Sequence, residues 1–248
     1  MPHFFIDSKN VDNNKILIND IENYRHIAKS LRARIGETIL LIDENQLEYE
    51  GIIFSITNKE IIVEIQNSYP SKRKLDFEIH LAQSPLRSDA QNTVIEKATE
   101  LGVEKIYPVI TDNCALNKEL IEKKITKWQK IMYEASKQCE RANIPTCENA
   151  TTIEDLIKSK AHNHVIAFCE RYSTKTFREY VNNNKNLFDK DTKLLLIIGP
   201  EGGFSDREFN YFKTNNIPML TLGDLILKAD TAVITAIGNI IYEYNSSK

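Results

Sequence analysis

From Phe77 onward the chain alternates between two rhythms, and this alternation limits its fold more than any other feature. FEIHLAQ, VEKIYPVIT, HVIAFCE, LLLIIG and PMLTLG are short runs with apolar residues at consecutive positions. Strands that read apolar on both faces belong to a parallel sheet covered by helices on each side. The stretches between them have helical spacing. SDAQNTVIEKATELG brings Val94, Ile95, Ala98 and Leu101 to one face, and Gly102 stands where a left-handed stop is wanted. A long helix is predicted from about Lys118 to Cys139, with Ile121, Ile125, Trp128, Met132 and Ala135 turned inward. TFREYVNNN and SDREFNYFKTNN read as shorter helices, and a last helix is expected from about Asp230 to Tyr244.

The chain before Phe77 reads differently. KILIND, ETILLID, YEGIIFSIT and EIIVEIQ are brief β-branched runs separated by polar turns, and IENYRHIAKSLRARIG has helical spacing. About seventy residues of this kind fit a small barrel of five or so strands with one helix. NSYPSKRK, Asn67 to Lys74, is polar, basic and carries a proline, and reads as the linker. Two domains are therefore expected, residues 1–70 and 75–248.

The net charge is −3, with 10 basic and 11 acidic residues up to Lys74, so a polyanion would have to be met by local patches. The four cysteines form no C-x-x-C pair and the histidines no zinc spacing, so neither disulfides nor a metal site is expected. The start MPHFFIDSKN lacks the pattern of a signal peptide, and no segment has the roughly 18 continuous apolar residues that span a membrane. The expectation is a cytoplasmic protein with no membrane partner.

The sharpest change of character lies in LLLIIGPEGGFSDREF, Leu194 to Phe209. Three of the chain's eight glycines fall within five residues, at the end of an apolar strand. Open parallel sheets bind ligands beyond the carboxyl ends of their strands, and glycine permits close backbone approach and positive φ. Ser205 to Glu208 has the pattern of a capping box for the following helix. The loop is neither a phosphate-binding P-loop nor a dinucleotide fingerprint, and its one charge is the acidic Glu201. That charge suits a cationic or hydroxyl-rich ligand. A second bare turn, TLGDLILKADTA from Thr221 to Ala232, ends the next strand. Two such loops can enclose one small molecule, or can be two ordinary strand-to-helix turns.

The pair IGPEGGFSDREF and LGDLILKADTAVITAIG resembles the SPOUT class of RNA methyltransferases, and more narrowly the family that methylates N3 of a uridine in 16S ribosomal RNA. VIEKATELGVEKIYPV resembles that family's helix-and-strand signature at Lys97, Glu100, Leu101, Gly102 and Pro108. KWQKIMYEASKQCERANIP is similar to its E-A-x-x-Q-x-x-R-x-x-x-P stretch at Glu134, Ala135, Gln138, Arg141 and Pro145. HIAKSLRARIGE is similar to its H-x-x-x-V-L-R-x-x-x-G-D segment at His26, Leu31, Arg32 and Gly36. The resemblance spans both predicted domains. It departs where the family has R-I-L-R-x-E-T-A, because Leu225 and Lys228 stand for two arginines and Asp230 for a glutamate. Ala90 and Asn113 also occupy positions where the family carries a basic residue.

The resemblance implies an α/β domain with a parallel sheet and a C-terminal trefoil knot, preceded by a PUA-like β-barrel that binds RNA. It implies S-adenosylmethionine as methyl donor, a homodimer, and 16S ribosomal RNA of the small ribosomal subunit as partner. A ribose 2′-O or transfer-RNA methylase, or a non-catalytic RNA-binding relative, are the other readings. The cofactor would lie against Phe168, Ile198, Gly199, Pro200, Glu201, Gly202, Gly203, Leu222, Gly223, Leu227, Thr231 and Ala232. Glu201 would favour the cation or accept backbone hydrogen bonds within its turn. Asp230 would take the uridine proton or cap the last helix. Arg141 would stabilise the uridine anion or sit at the solvated end of its helix. RNA would meet Arg25, His26, Lys29, Arg32, Arg34 and Arg87.

Overall fold

The computed structural model describes residues 3–170 and 172–248. The chain forms two compact units. One comprises the chain up to Lys74 together with Ser136–Asn143, the other Leu75–Ala135 with Ile144–Lys248.

In the first unit, β1 (His3–Phe5), β2 (Val11–Asp12), β3 (Lys15–Ile18), β4 (Thr38–Ile42), β5 (Leu47–Ile56) and β6 (Ile61–Pro70) form one sheet in the order β1-β4-β5-β6-β3-β2. The β1–β4 pair is parallel and the other pairs are antiparallel. Period-2 alternation turns Ile16, Ile18, Ile61 and Val63 inward against Phe4, Leu41 and Ile53. The register of β5 on β6 shifts beside Gly51, where an added Cβ would fall inside contact distance of Val63, so only glycine fits this crossing.

Three sequence expectations change here. Asn67 to Pro70 is strand, paired with Leu47 to Glu50, so the ladder runs into half of the expected linker. The expected helix through Arg34 is cut short. α1 (Ile21–Tyr24), capped by the Asp20 carboxylate accepting from the Asn23 N–H at 2.8 Å, widens into a π-turn over Arg25–Ser30. Arg32 then takes a left-handed φ of 52°, and the chain turns so that the Gly36 N–H donates to the Ile53 carbonyl at 2.8 Å. Arg32 and Arg34 thus lie in a loop. Ser136–Asn143, expected in the second domain, joins this unit. Glu140 pairs with Arg73, the Ala142 N–H donates to the Arg73 carbonyl at 3.2 Å, and Lys137 Nζ lies 3.6 Å from Glu22.

The second unit contains β7 (Glu78–Gln83), α2 (Ser88–Glu100), β8 (Val103–Pro108), α3 (Lys118–Gln138, whose last turn belongs to the first unit), β9 (Thr146–Cys147), α4 (Ile153–Lys158), β10 (His164–Phe168), α5 (Phe177–Asn183), β11 (Lys193–Ile198), α6 (Asp206–Thr214), β12 (Met219–Leu220) and α7 (Ala229–Ser246). Its sheet has the order β12-β10-β11-β7-β8-β9, and every pair is parallel. The two-faced apolar reading holds in β11. Leu194, Leu196 and Ile198 pack with Val94, Ile95, Trp128, Met132 and Ile237 on one side. Leu195 and Ile197 pack with Ile153, Phe209 and Phe212 on the other. Gly102 has the left-handed φ of 88° expected of a helix stop. α4 was not expected, because six residues carry too little periodicity to stand out. Among the described residues no helix is long and apolar enough to cross a membrane.

β11 lies between β7 and β10, although the chain visits β8, β9 and β10 before it. The order of the strands therefore reverses beside β11, and the crevice of a doubly wound sheet forms at such a point.

Candidate active site

The loop after β11 is held by its own turn and by its neighbours. The Gly203 N–H donates to the Pro200 carbonyl at 2.9 Å, and Gly203 has a left-handed φ of 69°. A Cβ on Gly203 would meet nothing within 4 Å, so the backbone there is bare on an open side. A Cβ on Gly199 would stand 3.3 Å from the Phe204 ring. From the loop after β8, Asn113 Nδ2 donates to the carbonyls of Gly202 (3.2 Å) and Gly203 (3.1 Å).

The capping box at the start of α6 is present in both directions. Ser205 Oγ accepts from the Glu208 N–H at 3.2 Å, and Glu208 Oε2 accepts from the Ser205 N–H at 2.8 Å. Buried Glu208 also accepts from the Asp112 N–H at 3.1 Å. Arg207 grips the Asp112 carboxylate through two hydrogen bonds, at 2.8 and 2.9 Å. That guanidinium and the Ser205 hydroxyl hold the Asp112 carboxyl below the usual carboxylate range. The glycine loop thus sits on a helix start that is fixed from a second strand end.

Two further loops close the site. After β10 the Cys169 N–H donates to the Leu220 carbonyl at 2.9 Å, and the Tyr172 N–H to the Cys169 carbonyl at 3.0 Å. After β12 the Thr221 hydroxyl donates to the Gly223 carbonyl at 2.8 Å, and Gly223 has a φ of 132°. The loops enclose a cavity of about 740 Å³. Its buried floor is Leu86, Phe168, Ile198, Gly199, Pro200 and Ala232, and its exposed rim is Tyr172, Glu201, Gly202, Ile226 and Lys228.

Nine of the expected cofactor residues line this cavity: Phe168, Ile198, Gly199, Pro200, Glu201, Gly202, Gly203, Leu227 and Ala232. Leu222, Gly223 and Thr231 do not. Leu222 packs on the core, Gly223 is exposed, and the exposed Thr231 donates its N–H to Asp230 at 2.8 Å. Glu201 accepts from the backbone N–H of Arg87 at 3.2 Å, so its partner belongs to the neighbouring strand end and not to its own turn. Asp230 lines the cavity but does not cap α7. Lys228 occupies that position, and Asp230 lies in the first turn. Leu86, Ala90, Cys169, Tyr172, Phe209 and Ile226 also line the cavity. Phe209 and Ile226 lie within the two quoted stretches and Ala90 at a noted family position, but no motif marks Leu86, Cys169 or Tyr172, whose loops are brought together by strand order.

Arg141 lies in the first unit, 7% exposed, with Nη2 donating to Asn143 Oδ1 at 3.2 Å, and is not at the solvated end of a helix. Arg25, Lys29, Arg32 and Arg34 are exposed in the same unit, beside the exposed apolar side chains of Ile21, Leu31 and Ile35. The half-buried His26 packs edge-on against Phe4, with ring centroids 5.2 Å apart. Arg87 is exposed in the second unit.

Residues 73–241 match the family model described as an RNA methyltransferase domain, and residues 18–66 match an RNA methyltransferase PUA domain. A ribosomal RNA small subunit methyltransferase E of Mesomycoplasma hyopneumoniae is 30% identical over 94% of this chain and 96% of its own length. The protein of that name from Rickettsia conorii is 28% identical over 95% and 93%. A putative methyltransferase of Legionella pneumophila, solved with bound SAM, superposes with a TM-score of 0.82 at 28% identity and 97% coverage of each chain. With a parallel sheet, a strand-end cavity and both domain models matched in order, the chain belongs to the RNA methyltransferase family.

Proposed function

We propose that this protein transfers the methyl group of S-adenosylmethionine to N3 of a uridine in 16S ribosomal RNA of the small ribosomal subunit. The observation that carries the reading is the cavity, where bare backbone at Gly203, an apolar floor and a rim carboxylate at Glu201 meet. Such a site fits the cofactor, whose adenine ring presents apolar faces and whose sulfonium is cationic. When bound, the sulfonium supplies a methyl group that is already activated. The chain's task is then alignment, a contribution worth ~7–11 kcal/mol in well-oriented reactions. The Asp230 carboxylate, which lines the cavity and does not cap its helix, accepts the N3 proton. As the N3–methyl bond forms, the S–C bond breaks and its electron pair stays on sulfur as a neutral thioether. Lys228 on the rim offsets the uridine's negative charge.

RNA affinity belongs to Arg25, Lys29, Arg32 and Arg34, exposed on the PUA-type unit, and to Arg87. The buried Arg141 has a supporting role there, within its own unit. The proposal includes a homodimer, a cytoplasmic location and a knotted C-terminal segment. On α7, Val233, Ile237, Ile240 and Tyr244 are used by the unit's own core. A second copy would cover Ile234, Ile241 and exposed Tyr242, beside Gly238 whose Cβ position is open. The test is to map N3-methylated uridines in ribosomal RNA from cells with and without the gene. One modified position should vanish without it, and an unchanged map would overturn the proposal.

A further inference from the structure

We propose that Tyr172 is the stacking platform for the base that receives the methyl group, an inference that rests on the proposed methyl transfer at this cavity. The lining runs from a buried floor to an exposed rim. Phe168 and Ile198 are each 3% exposed and Ala232 is 5%, whereas Tyr172 is 48% and Ile226 66% exposed. A small cofactor can bed on the floor. A base carried on a polymer far larger than the cavity arrives from solvent and meets the rim first.

The Tyr172 ring is held ready for such a base. It lies on Phe209, with ring centroids 3.7 Å apart and an interplanar angle of 34°. Its backbone is tied into a turn by the 3.0 Å bond to the Cys169 carbonyl. The turn is fastened to β12 and to the residue after it. The Ser173 hydroxyl donates to the Met219 carbonyl at 2.6 Å, and the Thr221 N–H donates to the Lys175 carbonyl at 2.8 Å. One side of the ring is therefore packed on a buried aromatic while about half of its surface remains open to solvent. Among the described residues its hydroxyl makes no hydrogen bond, so the ring and not the oxygen carries the role. Single-stranded and flipped bases are taken up by stacking on such rings, since every base presents a π-face. Ile226, across the rim, gives an apolar wall for the base edge.

The experiment uses the full chain and small ribosomal subunits purified from cells lacking the gene. Calorimetry measures S-adenosylmethionine affinity, and methyl incorporation into the subunits measures kcat and KM, for Tyr172→Ala, Tyr172→Leu and Tyr172→Phe. We expect cofactor affinity to stay within about twofold of wild type in all three. Loss of one stacked base should lower kcat/KM in Tyr172→Ala by about 5- to 150-fold, mainly through KM. Tyr172→Phe should restore it. Tyr172→Leu keeps an apolar contact with Phe209 and carries the test should alanine unseat the turn; it should lose rate as alanine does. An undiminished kcat/KM in the alanine or leucine variant overturns the inference while the methyltransferase reading stands. A fall in cofactor affinity matching the loss of rate overturns it too, assigning Tyr172 to the cofactor. A wild-type chain that incorporates no methyl group sinks the proposed function, and this inference with it.

Discussion

Gly203 offers a way to separate what a glycine does for the fold from what it does for a ligand. Its φ of 69° is left-handed, and an added Cβ would meet no atom within 4 Å. Gly203→Ala should therefore suffer no clash inside the protein and only the backbone penalty of an L-residue in that region, ~1–2 kcal/mol. For a domain of this size that lowers Tm by roughly 2–8 °C. Asparagine tolerates the left-handed region better than alanine. Melting temperatures should thus fall in the order wild type, Gly203→Asn, Gly203→Ala. Cofactor affinity should follow a different order, because Gly203 lines the cavity and either side chain would stand in it. Loss of one backbone hydrogen bond to the ligand, ~1 kcal/mol, weakens binding about fivefold in both variants. Scanning calorimetry and titration of S-adenosylmethionine read the two effects separately. Alanine and asparagine variants that melt together would show that the left-handed backbone is not what the glycine supplies. Wild-type affinity in both would remove Gly203 from the cofactor cradle. Gly199→Ala is the contrast, since its Cβ would press on the Phe204 ring at 3.3 Å, so packing and not φ sets its cost.

Asn113→Ala removes the hydrogen bonds to the Gly202 and Gly203 carbonyls at an exposed site. We expect a total loss of ~1 kcal/mol of stability, seen as a Tm lower by roughly 2–4 °C; an unchanged Tm would show that the clamp does not hold the loop. Burial pushes His3, His80, His162 and His164 below the ordinary histidine value, His162 to about 4. The unfolded chain then binds more protons than the folded one below pH 6.5, so stability is fully present above that value and is lost as pH falls toward 4. Urea midpoints between pH 7.5 and 4.5 should trace this loss, and His162→Gln should flatten it; a flat wild-type profile would contradict it. Arg32→Glu should weaken binding to ribosomal RNA and reduce the dependence of log K on log salt by about one unit, with cofactor affinity unchanged. Loss of the cofactor with retained RNA binding would reverse the assignment of roles to the two units.

What was legible in the chain was local. A buried central strand must be apolar on both faces, so Leu194 to Ile198 announced a covered parallel sheet. Caps and stops use neighbours within a few residues, so the Ser205–Glu208 box and the left-handed Gly102 were readable as written. The PUA-type unit and the methyltransferase domain followed from motif resemblance in chain order. Where local signals were weak, the reading slipped. α4 is too short to show a period, and the π-turn of Arg25–Ser30 keeps helical spacing while moving Arg32 and Arg34 off the helix.

Tertiary structure alone decided the rest. Placing β11 between β7 and β10 brings the loops after β7, β10, β11 and β12 around one cavity and puts Tyr172 and Ile226 on its rim. Asn113 reaches carbonyls 89 and 90 residues away, and Ser136–Asn143 leaves its flanking chain for the other unit. Nothing nearby in sequence encodes these choices. Hydrophobic burial is non-directional, so apolar strands specify that they will be covered but not which strands will be their neighbours. Only the summed packing of the whole sheet selects the order, and with it the residues that meet at the site.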